Sequence, residues 1–158
     1  TSVNLAIDKM IIAREKEGSL LKVDLLEKLE LITKGLDVIK GYTPMIVKAY
    51  KEKLDLRIAE LVDMPDLDQG RLAMEVAVFA DKVCIDEEIV RLETHISHMK
   101  ATLDETKPIG RKLDFLTQEL NREANTILSK ANSIEVSDVG LEFKTEIEKI
   151  REQIQNIE

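Results

Sequence analysis

The chain has 158 residues, of which 44% are hydrophobic but only 3% aromatic, and its formal net charge is −8. This length is enough to bury one core, and the abundance of Leu, Ile, Val, Glu and Lys is typical of packed amphipathic helices. The negative charge argues against binding nucleic acid by overall attraction, the lone Cys84 excludes an internal disulfide, and no apolar run is long enough to span a membrane.

The first part of the chain contains two predicted helices. Leu and Ile at helical spacing predict a first helix over residues 2–40. The segment KGYTPMIV then places Gly41, a typical helix stop, before Thr43 and Pro44, which are typical of a helix start. A second helix is predicted over residues 44–61, antiparallel to the first.

Four shorter helices are predicted after the connection VDMPDLDQG, in which Pro65 is a turn residue. One follows this connection directly, and the next starts at Asp86, a plausible N-cap. A third follows ETKPIG. The last follows NSIEVSD, with Ser137 or Asp138 as its cap.

Apolar seams support this division, and no stretch alternates as a half-buried strand does. Steps of three and four residues, typical of coiled coils, occur in two of the later helices. Their members are Ile89, Leu92, Ile96, Met99 and Leu103, and then Phe143, Ile147, Ile150, Ile154 and Ile157. We therefore predict an all-α fold, with a long antiparallel helical hairpin over residues 1–62 followed by a bundle of about four helices over residues 63–158. The two parts are expected to form one continuous unit.

The helix predicted from GRKLDFLTQELNREANTILSKAN, residues 110–132, has an unusual polar face. Successive residues lie ~100° apart, which places its Leu, Ile and Ala on one side. The opposite side, here called the polar stripe, consists of Arg111, Asp114, Gln118, Asn121, Arg122, Asn125 and Ser129. Asn and Ser lower helix propensity, so their presence indicates that the stripe has binding partners. From Lys107 to Asn132 there are five Lys or Arg and three Asp or Glu, which makes this the local basic region of an acidic chain.

Two interpretations of the polar stripe stay open from spacing alone. Arg111 and Arg122 can hold phosphates bidentately, and Asn or Gln can reach sugar or base edges. An inter-helix polar network or a subunit contact explains the same pattern. Phe115 is the only aromatic residue in this segment, so it offers no platform for stacking bases.

The preceding helix contributes the second half of a possible site. Glu88, Arg91 and His95 share one of its faces. Placed near Asp114 and Glu119, they would form an oxygen-rich site for Mg²⁺ or Mn²⁺. Such an ion can activate water and neutralise charge on a phosphodiester. The alternative for His95 is a hydrogen-bonded structural histidine.

Several of these segments resemble the carboxy-terminal region of the bacterial YicC/YloC family. They are EEIVRLETHISHM, the whole of the 110–132 segment and the terminal KTEIEKIREQIQNIE, and REKEGSLLKVDL resembles the part upstream. The resemblance covers residues 14–158 except for LVDMPDLD. Members of that family begin with a separate mixed α/β region, and this chain starts at Thr1 rather than Met. We therefore expect it to be the carboxy-terminal half of a longer protein.

The resemblance implies a cytoplasmic, stress-associated, oligomeric and metal-dependent endoribonuclease. The full-length protein would then cleave internal phosphodiester bonds in RNA with Mn²⁺ or Mg²⁺ as cofactor. RNA and further copies of the same chain are the expected partners, and neither a membrane nor DNA is expected. The alternative is a non-catalytic helical oligomerisation module that positions an RNA-binding amino-terminal half. Whether this half is active by itself stays open.

Site roles are assigned from side-chain chemistry, at positions that match the family's polar residues. The residues predicted for catalysis and for metal binding are the same four: Glu88, His95, Asp114 and Glu119. The residues predicted to contact RNA are Arg91, Arg111, Gln118, Asn121, Arg122, Asn125 and Lys130. Glu87, Glu123 and Ser129 also match polar positions of the family, without an assigned role.

Overall fold

The fold is known from a computed structural model that describes residues 2–61, 69–155 and 157. These residues form five helices: α1 Ser2–Leu61, α2 Gln69–Val83, α3 Asp86–Thr102, α4 Gly110–Lys130 and α5 Ile134–Ile154. No strand occurs in the described part of the chain, so the predicted all-α class is confirmed, as are four helices after α1. The predicted connection around Pro65 lies outside the described residues.

The predicted antiparallel hairpin is wrong, because α1 runs on through Gly41 and Pro44 as one helix. Gly41 lacks the positive φ that a helix-ending glycine adopts. Pro44 has no N–H to donate to the carbonyl of Lys40, which costs a helical hydrogen bond. On either side of the proline, however, Tyr42 and Ile46 pack against the core. Burial of these side chains outweighs the local stop signals.

The core lies where the middle of α1 meets a bundle made by α3, α4 and α5. In that bundle α4 packs against both α3 and α5, and α1 packs mainly on α5. The predicted seams are confirmed, since the residues that hold the bundle together are almost fully buried. They are Leu25, Leu29, Ile32, Leu36 and Ile39 of α1, Ile89, Leu92, Ile96 and Met99 of α3, Leu113, Leu116, Leu120 and Ile127 of α4, and Phe143, Ile147, Ile150 and Ile154 of α5.

Two contacts fix α1 on the bundle. A Cβ atom added at Gly35 would lie 2.4 Å from Cε1 of Phe143, so the absence of a side chain lets α1 approach α5 closely. Lys40 Nζ donates to Glu93 Oε1 of α3 at 2.5 Å. This hydrogen bond raises the pKa of the Lys40 ammonium group above its ordinary value. Both contacts place α3 and α5 at fixed positions along α1.

Two predicted helix starts need correction. Asp86 is the first residue of α3 rather than its cap, and no side chain caps this helix. The last helix starts earlier than predicted, because Ser133 caps it by accepting the N–H of Val136 at 3.2 Å. The predicted caps Ser137 and Asp138 therefore lie inside α5. Val136 is fully buried, so burial of the first turn extends the helix toward Ser133.

The amino end of α1 lies outside the core. Residues 2–20 are all exposed, and they include the apolar side chains Val3, Ile7 and Ile11. A helix of this length rises ~1.5 Å per residue, so the end of α1 extends well beyond the bundle. Within the described residues, no helix is both long and apolar enough to cross a membrane.

Candidate metal and nucleic-acid site

The polar stripe of α4 occupies the face predicted for it. The apolar side of α4 is buried in the bundle, while the stripe is exposed except for the half-buried Asn121. Two members of the stripe are hydrogen-bonded to each other, since Gln118 Nε2 donates to Asp114 Oδ2 at 2.9 Å. The stripe is therefore a surface that a ligand can reach, and α4 fixes its geometry because its opposite face is anchored.

Three potential metal ligands meet where α3 packs against α4. His95 comes from α3, and Glu119 and Glu123 lie one turn apart on α4. One ligand atom of each lies within 4.8 Å of the others, and we call this group the His95 cluster. His95 and Glu119 are half-buried, whereas Glu123 is only 3% exposed. It is the one such group among the described residues.

Two arginines flank the His95 cluster. Arg91 donates to Glu87 at 2.8 Å, and its other terminal nitrogen lies 4.0 Å from Glu123 Oε1. Arg122 Nη1 lies 3.6 Å from Glu119 Oε2. Both distances to the cluster are too long for hydrogen bonds. A buried carboxylate that has its cation only at this distance is poorly compensated, which favours an additional cation beside Glu123.

The donor set of the His95 cluster fits a divalent cation. Carboxylate oxygens suit Mg²⁺ and Mn²⁺, and an imidazole nitrogen suits the transition metals, so the mixture favours Mn²⁺ over Mg²⁺. His95 Nδ1 is buried and has no hydrogen-bond partner among the residues described. This goes against the reading of His95 as a hydrogen-bonded structural histidine. Most ligating histidines donate their other ring N–H to a hydrogen-bond acceptor, which fixes the tautomer. Among the described residues, His95 Nδ1 has no such acceptor.

Glu88 and Lys130 lie elsewhere and pair with each other. Lys130 Nζ donates to Glu88 Oε1 at 2.9 Å and to the carbonyl of Cys84 at 3.0 Å. The pair joins the end of α4 to the start of α3. The structure therefore does not bring Glu88 together with His95, and the Lys130 ammonium group, which was predicted to contact RNA, pairs with a buried carboxylate.

Asp114 is also separate from the His95 cluster. With Arg111 it lines a cleft of about 590 Å³ between the start of α4 and the end of α5. The structure thus brings together His95 and Glu119 of the four predicted ligands, and it adds Glu123. The signal for Glu123 was present in the sequence, because it is a carboxylate one turn from Glu119 on the arc otherwise filled by apolar residues.

Comparison with known proteins gives consistent matches. The family described as "Endoribonuclease YicC-like, C-terminal" matches residues 39–158. A protein of Clostridioides difficile strain 630 named "Probable endoribonuclease YicC" is 48% identical over 158 residues, which is 99% of this chain and 54% of that protein. A protein of Haemophilus influenzae with the same name is 32% identical, over 100% of this chain and 54% of its own length. The chain therefore spans about half the length of these relatives.

Proposed function

The chain belongs to the YicC-like endoribonuclease family, and from this membership we propose that it supplies the metal-binding and RNA-contacting part of an enzyme that cleaves internal phosphodiester bonds in RNA. Its relatives are named as probable endoribonucleases. The observation that carries the proposal is the His95 cluster, which sets an imidazole and two carboxylates within reach of one ion beside two arginines.

The charges around the cluster support a divalent cation at this position. Glu87, Glu119 and Glu123 outnumber the two guanidinium groups of Arg91 and Arg122 by one negative charge when His95 is neutral. One divalent cation, Mn²⁺ or Mg²⁺, makes this balance positive, which suits an RNA phosphate. When bound, the ion would supply Lewis-acid polarisation of the phosphodiester and a more acidic water.

The residues of this chain would divide the remaining work. His95, Glu119 and Glu123 would hold the ion. Arg122 lies on both the cluster and the polar stripe, and its side chain is 68% exposed, so a phosphate can reach it. The stripe then continues on the exposed face of α4 as a line of groups that hydrogen-bond to phosphate and sugar. A strand bound there would place one phosphate beside the cluster.

The positions of its two ring nitrogen atoms determine whether His95 can act as a metal ligand or as a proton donor. Nε2 faces Glu119 and Nδ1 is buried. If Nε2 binds the ion, only Nδ1 can carry a proton, so His95 does not serve as both ligand and proton donor at one atom. We assign it to the ion, because its accessible nitrogen lies beside a carboxylate ligand.

The test is cleavage of a labelled RNA by the full-length protein. Mn²⁺ should restore cleavage after chelation, and His95→Ala, Glu119→Gln and Glu123→Gln should each abolish most of it. Glu148 is an exposed carboxylate of α5, outside both the cluster and the polar stripe, so Glu148→Gln is the control and should stay active. Wild-type rates in all three cluster variants would remove this assignment of the site.

An assembly role is the second candidate, and the exposed amino end of α1 favours it. Val3, Ile7 and Ile11 lie at steps of four residues on one side of a solvated helix, which suits packing against another helix. On this reading the chain builds a homo-oligomer and the amino-terminal half binds RNA. A stable multimer of this chain, together with wild-type cleavage by the cluster variants, would favour it. Action in the cytoplasm and in stress responses stays a prediction from the resemblance.

A further inference from the structure

A second cavity lies where the later part of α1 meets α2 and the connection between α4 and α5. It measures about 370 Å³, within the range of ~300–1,000 Å³ found for small-molecule sites. Tyr50 of α1 and Phe79 of α2 stack in its wall, with ring centroids 3.5 Å apart and planes 7° from parallel. Tyr42 lines it as well. We call this cavity the aromatic pocket.

The aromatic residues of the pocket are not buried as core residues are. Phe143 is 2% exposed in the bundle, whereas Tyr42, Tyr50 and Phe79 are only half-buried. A stacked pair also leaves one face of each ring uncovered by the other ring. Aromatic faces that are fixed in place and open to solvent are the surfaces on which proteins stack unpaired bases.

Polar groups at the edge of the pocket match the edges of a base. The Asn132 side-chain amide offers both donors and an acceptor. Ser133 Oγ accepts the N–H of Val136, which leaves its own hydrogen to donate. Glu135 can accept from exocyclic amino groups, and Lys53 provides a cation for a phosphate.

We propose that the aromatic pocket holds one unstacked base of a single-stranded RNA. This inference rests on the proposed function and adds a base-binding subsite to it. Lys130, the last residue of α4, follows Glu123 by seven residues, or about 10 Å along the helix, and Asn132 lies two residues further on, in the connection to α5. The helical part alone is roughly the length of three stacked nucleotides at ~3.4 Å each. A strand with one phosphate at the His95 cluster can therefore reach the pocket with a nearby base.

The chain provides its own reporter for this subsite. It contains two tyrosines and no tryptophan, and both tyrosines line the pocket. A base stacked there should shorten the tyrosine fluorescence lifetime, which, unlike intensity, is not affected by absorption of light by the nucleic acid. The probe is a short single-stranded 2′-O-methyl oligonucleotide added to this chain, and the control is an abasic strand with the same number of phosphates. We expect only the strand that carries bases to change the lifetime.

A pair of variants separates stacking from charge. Phe79→Leu keeps an apolar side chain but removes the ring, and should weaken binding of the base-carrying strand roughly tenfold. Phe115→Leu removes an exposed ring from α4, outside the pocket, and should leave affinity unchanged. Neither variant should alter binding of the abasic strand. Far-ultraviolet circular dichroism checks that both variants stay helical. The lifetime measurement uses the wild-type chain, so it remains a test even if a variant fails to fold.

Several outcomes would overturn the inference. If RNA binds but the lifetime stays constant, the pocket does not hold a base, even when the full-length protein cleaves RNA through the His95 cluster. If the lifetime changes with protein concentration and not with the oligonucleotide, a side chain of a second copy occupies the pocket instead. Conversely, a lifetime change that is specific to bases, found together with wild-type cleavage in the cluster variants, supports the pocket and removes the proposed metal site.

Discussion

His95 Nε2 and Glu119 Oε2 lie 4.0 Å apart across the packing of α3 on α4. They are too far apart for a hydrogen bond, yet close enough to ligate one cation between them. Glu123, one turn further along α4, offers a third potential ligand atom. The site therefore depends on how α3 and α4 pack, and not on any loop of the chain.

The affinity for Mn²⁺ should depend on the side chains of the His95 cluster. We expect His95→Ala and Glu123→Gln each to weaken Mn²⁺ binding by roughly tenfold or more, because even supporting residues of metal sites have effects of ~10-fold to 100-fold. Titration of Mn²⁺ into this chain, followed by the electron paramagnetic resonance signal of the free ion, measures this without activity. Asp114→Asn should bind as wild type does. An equal loss in Asp114→Asn would show that Asp114 also binds the ion.

The polar stripe should contribute charge to RNA binding. Arg122→Gln is expected to weaken binding by the full-length protein and to lower the slope of log affinity against log salt by about one unit. Lys149→Gln on α5 is the control, since Lys149 pairs with Glu146 away from the stripe. Filter binding of one RNA at several salt concentrations gives both slopes. The same slope in wild type and Arg122→Gln would show that the guanidinium contacts no phosphate.

The Lys130–Glu88 pair should matter for stability. Lys130→Met leaves a buried carboxylate without its ammonium partner, and we expect a loss of about 1–3 kcal/mol in the free energy of unfolding. This is below the cost for a fully buried pair, because the Lys130 side chain is 35% exposed. Urea denaturation of Lys130→Met, Glu88→Gln and the double variant measures the coupling. If unfolding is unchanged while RNA affinity falls, the predicted RNA contact of Lys130 is correct.

Two helical glycines should respond in opposite ways to the same substitution. Gly35→Ala places a methyl group against Phe143 and should destabilise the fold by about 1–3 kcal/mol. Gly41→Ala meets nothing within 4 Å and should stabilise α1 by about 0.5–1 kcal/mol. Thermal unfolding of both variants checks the contrast. A stable Gly35→Ala protein would mean that α1 and α5 are further apart than the structure has them.

Pro44 distinguishes the continuous helix from the predicted hairpin. In a continuous α1, Pro44→Ala restores an N–H that can bond to the carbonyl of Lys40, and it should stabilise the chain by about 2–3 kcal/mol. In a hairpin the same change would remove a favourable helix start and destabilise the chain. Chemical denaturation decides between the two, with Pro108→Ala in the connection before α4 as the control.

Periodicity predicted most of the fold. The seams of α3 and α5 and the two faces of α4 follow from spacing alone, because each helix must bury one side. Gly41 and Pro44 misled the prediction, since their preference for a turn acts locally while Tyr42 and Ile46 gain burial from distant parts of the chain. A local preference for a turn does not end the helix when residues before and after it gain burial by continuing the helix.

The composition of the His95 cluster was less predictable than the helix faces that carry it. Those faces of α3 and α4 follow from the spacing of their polar residues. The relative rotation of the two helices, which brings Glu123 rather than Asp114 or Glu88 to His95, does not follow from spacing. The aromatic pocket was missed for a related reason. Tyr50 and Phe79 lie on different helices, and only tertiary packing brings their rings together.

The missing hydrogen bond at Pro44 also has a mechanical consequence. Leu25 to Ile39 of α1 are anchored in the bundle, whereas Tyr50 lies six residues, or about 9 Å, beyond the proline. A change of ~20° in the bend at Pro44 would displace Tyr50 by about 3 Å. That displacement is comparable with the 3.5 Å between the stacked rings. A change in the bend of α1 at Pro44 would therefore change the width of the aromatic pocket.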